Sequence, residues 1–370
     1  DTYKGTFYRT MLAAQKAVKG YQGTNVNKLK NVMAKYEGLV STSPSVYTAA
    51  TQELSAALTA FEASDKVLAT YEKVSKSVNI EVNGKTLSYW LYVPKGCKAN
   101  APLVVSLHGA GGHSTDMSPM STSVADAEKF IVVYPQGSDI YFPVFGGKVP
   151  GWDATGEEND DVEFLKAIID DVDDAYAIDR SRVYCCGFSN GGMMAYALTN
   201  TCSDIFAAFA SISGFPLNEF HFRHTGERPT PFLHIHGKND DFVRYALMPV
   251  IVDEMVARLG ANPVPVKTTV SGKYDKSVYE ATEGSFPYVY YEVDGMGHEA
   301  YTNKTEEEKV EDRLLLSELL QQLDETGRRL IQMRFYEEKT QTEVAGILGI
   351  SQVQVSRLEK GALGRIKEEL

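Results

Sequence analysis

The chain has 370 residues, 43% hydrophobic and 23% charged, with a net charge of −12. That length accommodates two or three domains, and the composition is that of an ordinary globular chain. No run of eighteen apolar residues occurs, so no segment is expected to span a bilayer.

The charge is uneven: +4 over 1–76, −13 over 77–303 and −3 over 304–370. An acidic middle disfavours nucleic acid and anionic lipid as its ligands and suits a neutral substrate. The first residues, Asp1-Thr2-Tyr3-Lys4, include neither a start Met nor an apolar leader, as expected of a processed or cut chain.

Residues 5–76 read as helical hairpins. Apolar side chains recur at three- and four-residue spacing in Leu54, Leu58 and Phe61, and again in Val67, Leu68 and Tyr71, with a break at Ser41-Thr42-Ser43-Pro44-Ser45. Leu39, Tyr47-Thr48-Ala49-Ala50, Leu54, Ala57 and Leu58 resemble a small three-helix repeat of extracellular, sugar-associated bacterial proteins. A helical spacer without chemistry explains the same pattern.

From Ser77 the period changes. Val78–Val82, Asn83-Gly84 and Leu87–Val93 predict a hairpin with an Asn-Gly turn. Further strands are expected at Leu103–Leu107, Ile131–Tyr134, Val183–Cys186, Phe232–Ile235 and Tyr288–Val293. Between them Phe164, Leu165, Ile168, Ile169 and Val172 mark a helix face. Buried strands alternating with helices predict an α/β fold, a mostly parallel sheet covered on both faces. Cys97, Cys185, Cys186 and Cys202 form no disulfide framework, though a Cys97–Cys202 bridge stays open. Metal-ligand spacing is absent, and His234 and His236 read as satisfied strand histidines. No cofactor is expected.

Strand Val183–Cys186 runs into Gly187-Phe188-Ser189-Asn190-Gly191-Gly192 and then a helical stretch, the G-x-S-x-G pattern of a nucleophile on a tight strand-to-helix turn. A serine nucleophile needs a base, and the base an orienting carboxylate, in the chain order Ser, acid, His. His298 follows Tyr288–Val293 and is the expected base. Asp240 follows Phe232–Ile235 and is the expected acid, with adjacent Asp241 as rival. The tetrahedral oxyanion needs two backbone donors: Asn190 N–H, and one from His108-Gly109-Ala110-Gly111-Gly112, with Ala110 preferred and Gly111 the alternative. His108 reads as a structural pin of that loop.

Five stretches together resemble the polyhydroxybutyrate depolymerase-like, feruloyl and acetylxylan esterase group of α/β-hydrolases. They are Leu107-His108-Gly109-x-Gly111-Gly112, Tyr134-Pro135-Gln136-Gly137, Asp160-Asp161-Val162-x-Phe164-Leu165, Gly187–Met194 and His234-Ile235-His236-Gly237. The resemblance covers most of 77–303, puts Asp240 at the acid position and implies a secreted serine ester hydrolase. Asp241 stands where relatives often carry Pro, and Asp160 and Asp161 are expected to brace the sheet edge. Loop aromatics Tyr141, Trp152 and Phe215, with Phe142 and Phe145, are candidate pocket walls. A feruloyl-type cell-wall ester is expected first, acetylxylan next and polyester last.

Beyond about Glu311 the pattern is helical again. Thr340–Ser351 predicts two short helices about a Gly-containing turn. Glu338–Ala345 and Leu348–Lys360 resemble the last DNA-reading region of sporulation-type sigma factors. That resemblance implies that helix Ser351–Lys360 enters the major groove, with Gln352, Gln354 and Arg357 reaching bases, and that 311–370 contacts DNA and RNA polymerase. Such a segment is of cytoplasmic type. The expected organisation is a helical segment (1–76), an esterase domain (77–310) and a helix-turn-helix (311–370), the last pair being a fusion of unrelated sequences. The competing reading is a DNA-binding transcription module carrying a fused hydrolase domain.

Overall fold

The structure is a computed structural model describing residues 2–142, 145–217, 229–300, 329–330, 333, 341–352 and 354–358. The chain divides into two units, Asp1–Tyr301 and Thr302–Leu370.

The first unit begins with helices α1 (Thr2–Val18), α2 (Thr24–Lys35) and α3 (Pro44–Glu62). Phe7, Ala14, Leu29, Tyr47, Ala50, Leu54 and Phe61 form a small core among them. The helix expected around Val67 and Leu68 is absent. Both side chains are exposed, so no helical face is there to be buried. Val67–Leu68 (β2) instead pairs antiparallel with Tyr21–Gln22 (β1). The extended chain then runs against the next segment, with Ala99 N–H donating to Ala69 O at 2.8 Å and Tyr71 O–H to Tyr176 O at 2.7 Å.

The remaining strands are β3 (Val74–Val82), β4 (Lys85–Val93), β5 (Leu103–Leu107), β6 (Ile131–Pro135), β7 (Ser138–Phe142), β8 (Gly147–Gly151), β9 (Val183–Phe188), β10 (Ala208–Ile212), β11 (Phe232–Gly237), β12 (Val266–Val270), β13 (Tyr274–Tyr279) and β14 (Tyr288–Val293). Ten of them form one sheet in the order β12-β13-β14-β11-β10-β9-β5-β6-β4-β3. Strands β14 to β6 in that order are parallel, and antiparallel hairpins finish both edges.

The parallel strands are buried on both faces, so their side chains sort by alternation. Val105, Ile131 and Val133 join the larger core, which also takes the apolar faces of α5 (Asp160–Tyr176) and α7 (Met248–Leu259). Val104, Val132 and Tyr134 face a smaller cluster with Ala125 of α4 (Ser118–Glu128) and Met117. Helices therefore cover both faces of the sheet. Asn159 caps α5, its side chain accepting from Val162 N–H. Asp160 is salt-bridged to Lys85 at 2.5 Å, tying α5 to the β3–β4 hairpin. The open Cys97–Cys202 possibility is not realised: all four cysteines are free.

In the second unit α8 (Gln341–Leu348) ends at Gly349, whose φ of 66° turns the chain into a helical stretch through 354–358. Leu330, Met333, Val344, Ala345 and Val355 are buried together. The helical pattern expected from about Glu311 as far as residue 328 lies outside the described residues. Among the described residues no helix is long and apolar enough to cross a membrane.

Candidate active site

Strand β9 ends at Phe188 and α6 (Asn190–Thr201) begins two residues later. Ser189 between them has φ 52° and ψ −117°, an uncommon backbone for a residue with a side chain. The neighbours must be small for this turn to close. A Cβ on Gly187 would run into the backbone of Gly191, and one on Gly191 would meet the Leu107 and His108 carbonyls at 2.5 and 2.6 Å. Ser189 N–H donates to Ile212 O at 2.8 Å, anchoring the turn on β10.

Two further loops arrive at the same end of the sheet. After β11, Asp240 is buried, and its Oδ1 accepts from Phe242 and Val243 N–H at 3.1 and 2.8 Å. After β14, His298 lies between the other two side chains. Its Nδ1 is 2.9 Å from Asp240 Oδ2 and its Nε2 is 2.9 Å from Ser189 Oγ. Asp241, the rival carboxylate, is exposed. Burial pushes the Asp240 carboxyl up, but the His298 hydrogen bond and charge, with Val243 N–H and His236, hold it below the ordinary carboxylate value.

The loop after β5 is pinned from several sides. Gly137 N–H donates to His108 Nε2 at 2.9 Å, so the proton of this imidazole sits on Nδ1, which donates to Gly109 O at 2.7 Å. Burial lowers the His108 pKa and keeps the ring neutral. Gly111 N–H donates to Pro150 O at 2.7 Å, so of the two alternatives Ala110 is the one without this competing acceptor. Asn190 stands first in α6, where N–H groups point toward developing negative charge.

Trp152 is corrected by the structure. An aromatic in a loop reads as a pocket wall, but this ring is 1% exposed and belongs to the main core. Its Nε1–H donates to His108 O at 2.9 Å. Its backbone N–H donates to Asn190 Oδ1 at 2.7 Å, and Asn190 Nδ2 donates back to Trp152 O at 3.1 Å. Trp152 thus ties the His108 loop to the turn bearing Ser189. Tyr141 and Phe145 are 64% and 48% exposed around the β7–β8 hairpin, while Phe215 is half-buried against the core. Phe242, which the sequence reading passed over, is 52% exposed, and its ring centre lies 4.7 Å from that of His298. Its position two residues after Asp240 was the available signal.

Asp161 is buried and accepts from Asp153 N–H at 2.7 Å, bracing the loop that follows Trp152. His234 and His236 are satisfied within the core. Among the described residues no group of three metal-ligating side chains occurs. In the second unit Gln352, Gln354 and Arg357 are exposed. Gln354 is engaged locally: its Oε1 accepts from Ser351 N–H at 2.9 Å, and its own N–H donates to Ser351 Oγ at 3.2 Å. That is a capping box, which competes with base reading for the Gln354 carboxamide.

Comparison with known proteins agrees with both units. Residues 91–262 match the phospholipase/carboxylesterase family, and residues 319–368 match sigma-70, region 4. A bifunctional acetylxylan esterase/xylanase of Neocallimastix patriciarum is 37% identical over 158 residues, 42% of this chain and 22% of that protein. A poly(3-hydroxyalkanoate) depolymerase C of Paucimonas lemoignei is 28% identical over 250 residues, 60% of each chain. The RNA polymerase sigma-F factor of Bacillus licheniformis is 52% identical over 64 residues, 17% of this chain and 25% of that protein. The chain thus spans less than two thirds of the length of each of these relatives. Residues 77–303 resemble the polyhydroxybutyrate depolymerase-like, feruloyl and acetylxylan esterase group of α/β-hydrolases, and residues 311–370 resemble region 4 of sporulation-type sigma factors.

Proposed function

We propose that residues 77–310 form a serine carboxylic ester hydrolase acting on feruloyl or acetyl esters of plant cell-wall polysaccharide. One observation carries this reading, the line of hydrogen bonds from Ser189 Oγ to His298 Nε2 and from His298 Nδ1 to Asp240 Oδ2, each 2.9 Å. Ser189 Oγ attacks the ester carbonyl as its proton passes to His298 Nε2. Asp240 remains a carboxylate and stabilises the imidazolium. The tetrahedral oxyanion is held by Ala110 and Asn190 N–H. The imidazolium returns its proton to the departing alcohol, leaving an acyl-Ser189 ester. Water then repeats the sequence and releases the acid.

The exposed rings of Tyr141, Phe145 and Phe242 favour an aromatic acyl group, and the acetylxylan esterase name of one relative supports a polysaccharide-linked ester. Comparing kcat/KM for methyl ferulate, acetylated xylan and poly(3-hydroxybutyrate) tests the choice. Methyl ferulate is expected to be turned over fastest, and a preference for the polyester would overturn it.

A second reading rests on the region 4 match at 319–368, with the exposed Gln352 and Arg357 in its helical stretch. It assigns promoter DNA and RNA polymerase contact to 311–370, with the esterase part acting outside the cell and this part of cytoplasmic type. Binding of the full chain to a labelled sigma-F-type promoter duplex tests it; an affinity no higher than for scrambled duplex would overturn it.

A further inference from the structure

Beneath the proposed triad lies a row of buried polar side chains that the ester-hydrolysis mechanism leaves unused. Tyr196 O–H is 2.5 Å from His234 Nδ1, His234 Nε2 is 3.1 Å from His236 Nδ1, and His236 Nε2 is 2.9 Å from Val243 O. Tyr196, His234 and His236 are each no more than 1% exposed.

The protons in this row have one consistent arrangement. Val243 O can only accept, so His236 Nε2 carries a proton and His236 Nδ1 must accept. His234 Nε2–H then donates to it, which leaves His234 Nδ1 to accept from Tyr196 O–H. Every imidazole nitrogen is used, and both rings are neutral. Burial lowers the pKa of each, with the neighbouring imidazole adding to the effect at His234.

The row ends on the turn that holds Asp240. Val243, whose carbonyl takes the His236 proton, donates its own N–H to Asp240 Oδ1 at 2.8 Å. His236 Nε2 also lies 3.5 Å from Asp240 Oδ2, the oxygen that faces His298. Residues 240–243 form a short turn whose ends, Asp240 and Val243, are buried, while Asp241 and Phe242 between them are exposed, Phe242 to 52%. A hydrogen bond from a buried strand side chain gives that turn a rigid anchor.

We propose that His236 is a positioning residue: oriented by Tyr196 and His234, it fixes the Asp240–Val243 turn so that Asp240 Oδ2 is presented to His298. This rests on the proposed triad but asks something separate of the molecule. Support behind an orienting carboxylate matters because a small displacement of the base costs rate without changing how substrate binds.

The test is a double-mutant cycle on the full chain with 4-nitrophenyl acetate. His236→Leu is expected to lower kcat about 10- to 100-fold, the range for loss of a supporting hydrogen bond behind a site residue, with KM within about twofold. In the Asp240→Asn background the same change is expected to cost less than about threefold, because the group it acts through is gone. His236→Gln, which returns an N–H near the Nε2 position, is expected to recover most of the loss. Where His236→Leu fails to fold, Tyr196→Phe, which frees the His234 tautomer, is measured in its place and should show the same non-additivity at smaller size. Equal losses in both backgrounds, or no loss, overturn the proposal.

A readout without turnover separates it from the enzymatic reading. The downfield proton resonance of His298 Nδ1–H bound to Asp240 should vanish in His236→Leu and persist in His236→Gln. Its persistence in His236→Leu would overturn the proposal even for a chain that hydrolyses nothing. A wild type no faster than Ser189→Ala would instead overturn the ester-hydrolase reading alone.

Discussion

Asp240 and His298 stand 58 positions apart in sequence, and Asp240 Oδ2 accepts from His298 Nδ1 at 2.9 Å. The neighbouring carboxylate, Asp241, is exposed to solvent. Both carboxylates follow the same strand, so the choice between them is made by the Asp240–Val243 turn, whose amides at Phe242 and Val243 hold Asp240 Oδ1.

This difference separates two otherwise similar substitutions. Asp240→Asn should lower kcat by roughly three to four orders of magnitude, since an amide stabilises the wrong tautomer of the base. Asp241→Asn should stay within about threefold of wild type, as for an exposed charge. Steady-state kinetics on both variants decides, and the reverse ranking would move the acid by one residue.

Trp152 gives a second test. Trp152→Phe keeps most of the buried ring but leaves His108 O without its donor at 2.9 Å. A lost buried hydrogen bond of this kind costs about 1–3 kcal/mol. A lower melting temperature and a fall in kcat of about tenfold, with KM nearly unchanged, are expected. A rise in KM at constant kcat would return Trp152 to the substrate pocket.

The buried histidines give a pH dependence of stability. His234 and His236 are held below the ordinary imidazole pKa by burial. In the unfolded chain they bind protons below about pH 6.5; in the native chain they resist doing so. Their contribution is therefore intact above that value and declines as pH falls beneath it, by at most about 1.4 kcal/mol per pH unit for each ring. Asp240, shifted the opposite way relative to its charge, loses its contribution only as pH falls below about 4. Urea midpoints should drop between pH 7.5 and 5.5 in wild type and drop less in His234→Phe. Equal slopes would contradict the assignment.

The candidate set Ser189, Asp240 and His298 was legible because each member follows a strand with strong apolar character. Leu103–Leu107 and Tyr288–Val293 match the expected strands at both ends, and Val183–Cys186 and Phe232–Ile235 extend by two residues. Strand β10, Ala208–Ile212, lacks a periodic signal because Ala208, Ala210 and Ser211 carry little β-propensity; Ser211 packs closely against Gly192 and Gly214. The β12–β13 hairpin is polar and half-exposed, so periodicity does not reveal it. The spacing of Val67, Leu68 and Tyr71 misled because tertiary pairing of Val67–Leu68 with β1 overrides so short a helical pattern. The burial of Trp152 and the Tyr196–His234–His236 row arise from residues distant in sequence and leave no local signal.

Truncation tests the separability of the two units. Removal of residues 321–370 should leave ester hydrolysis within about twofold, as for an independently folding domain. In the full chain Arg357→Ala should weaken promoter DNA binding by about 1–3 kcal/mol, and added salt should weaken it steeply. Loss of hydrolysis together with DNA binding on the same truncation would contradict two independent units.

Ser189, the proposed nucleophile, is held 2.9 Å from His298 Nε2 on its strained turn. Hydrolysis of 4-nitrophenyl acetate and methyl ferulate by wild type and Ser189→Ala, both verified as folded, tests that role most directly. A loss of at least about a thousandfold is expected for both esters, since removing the serine of such a triad abolishes covalent catalysis. Turnover by Ser189→Ala above about a tenth of wild type would contradict it.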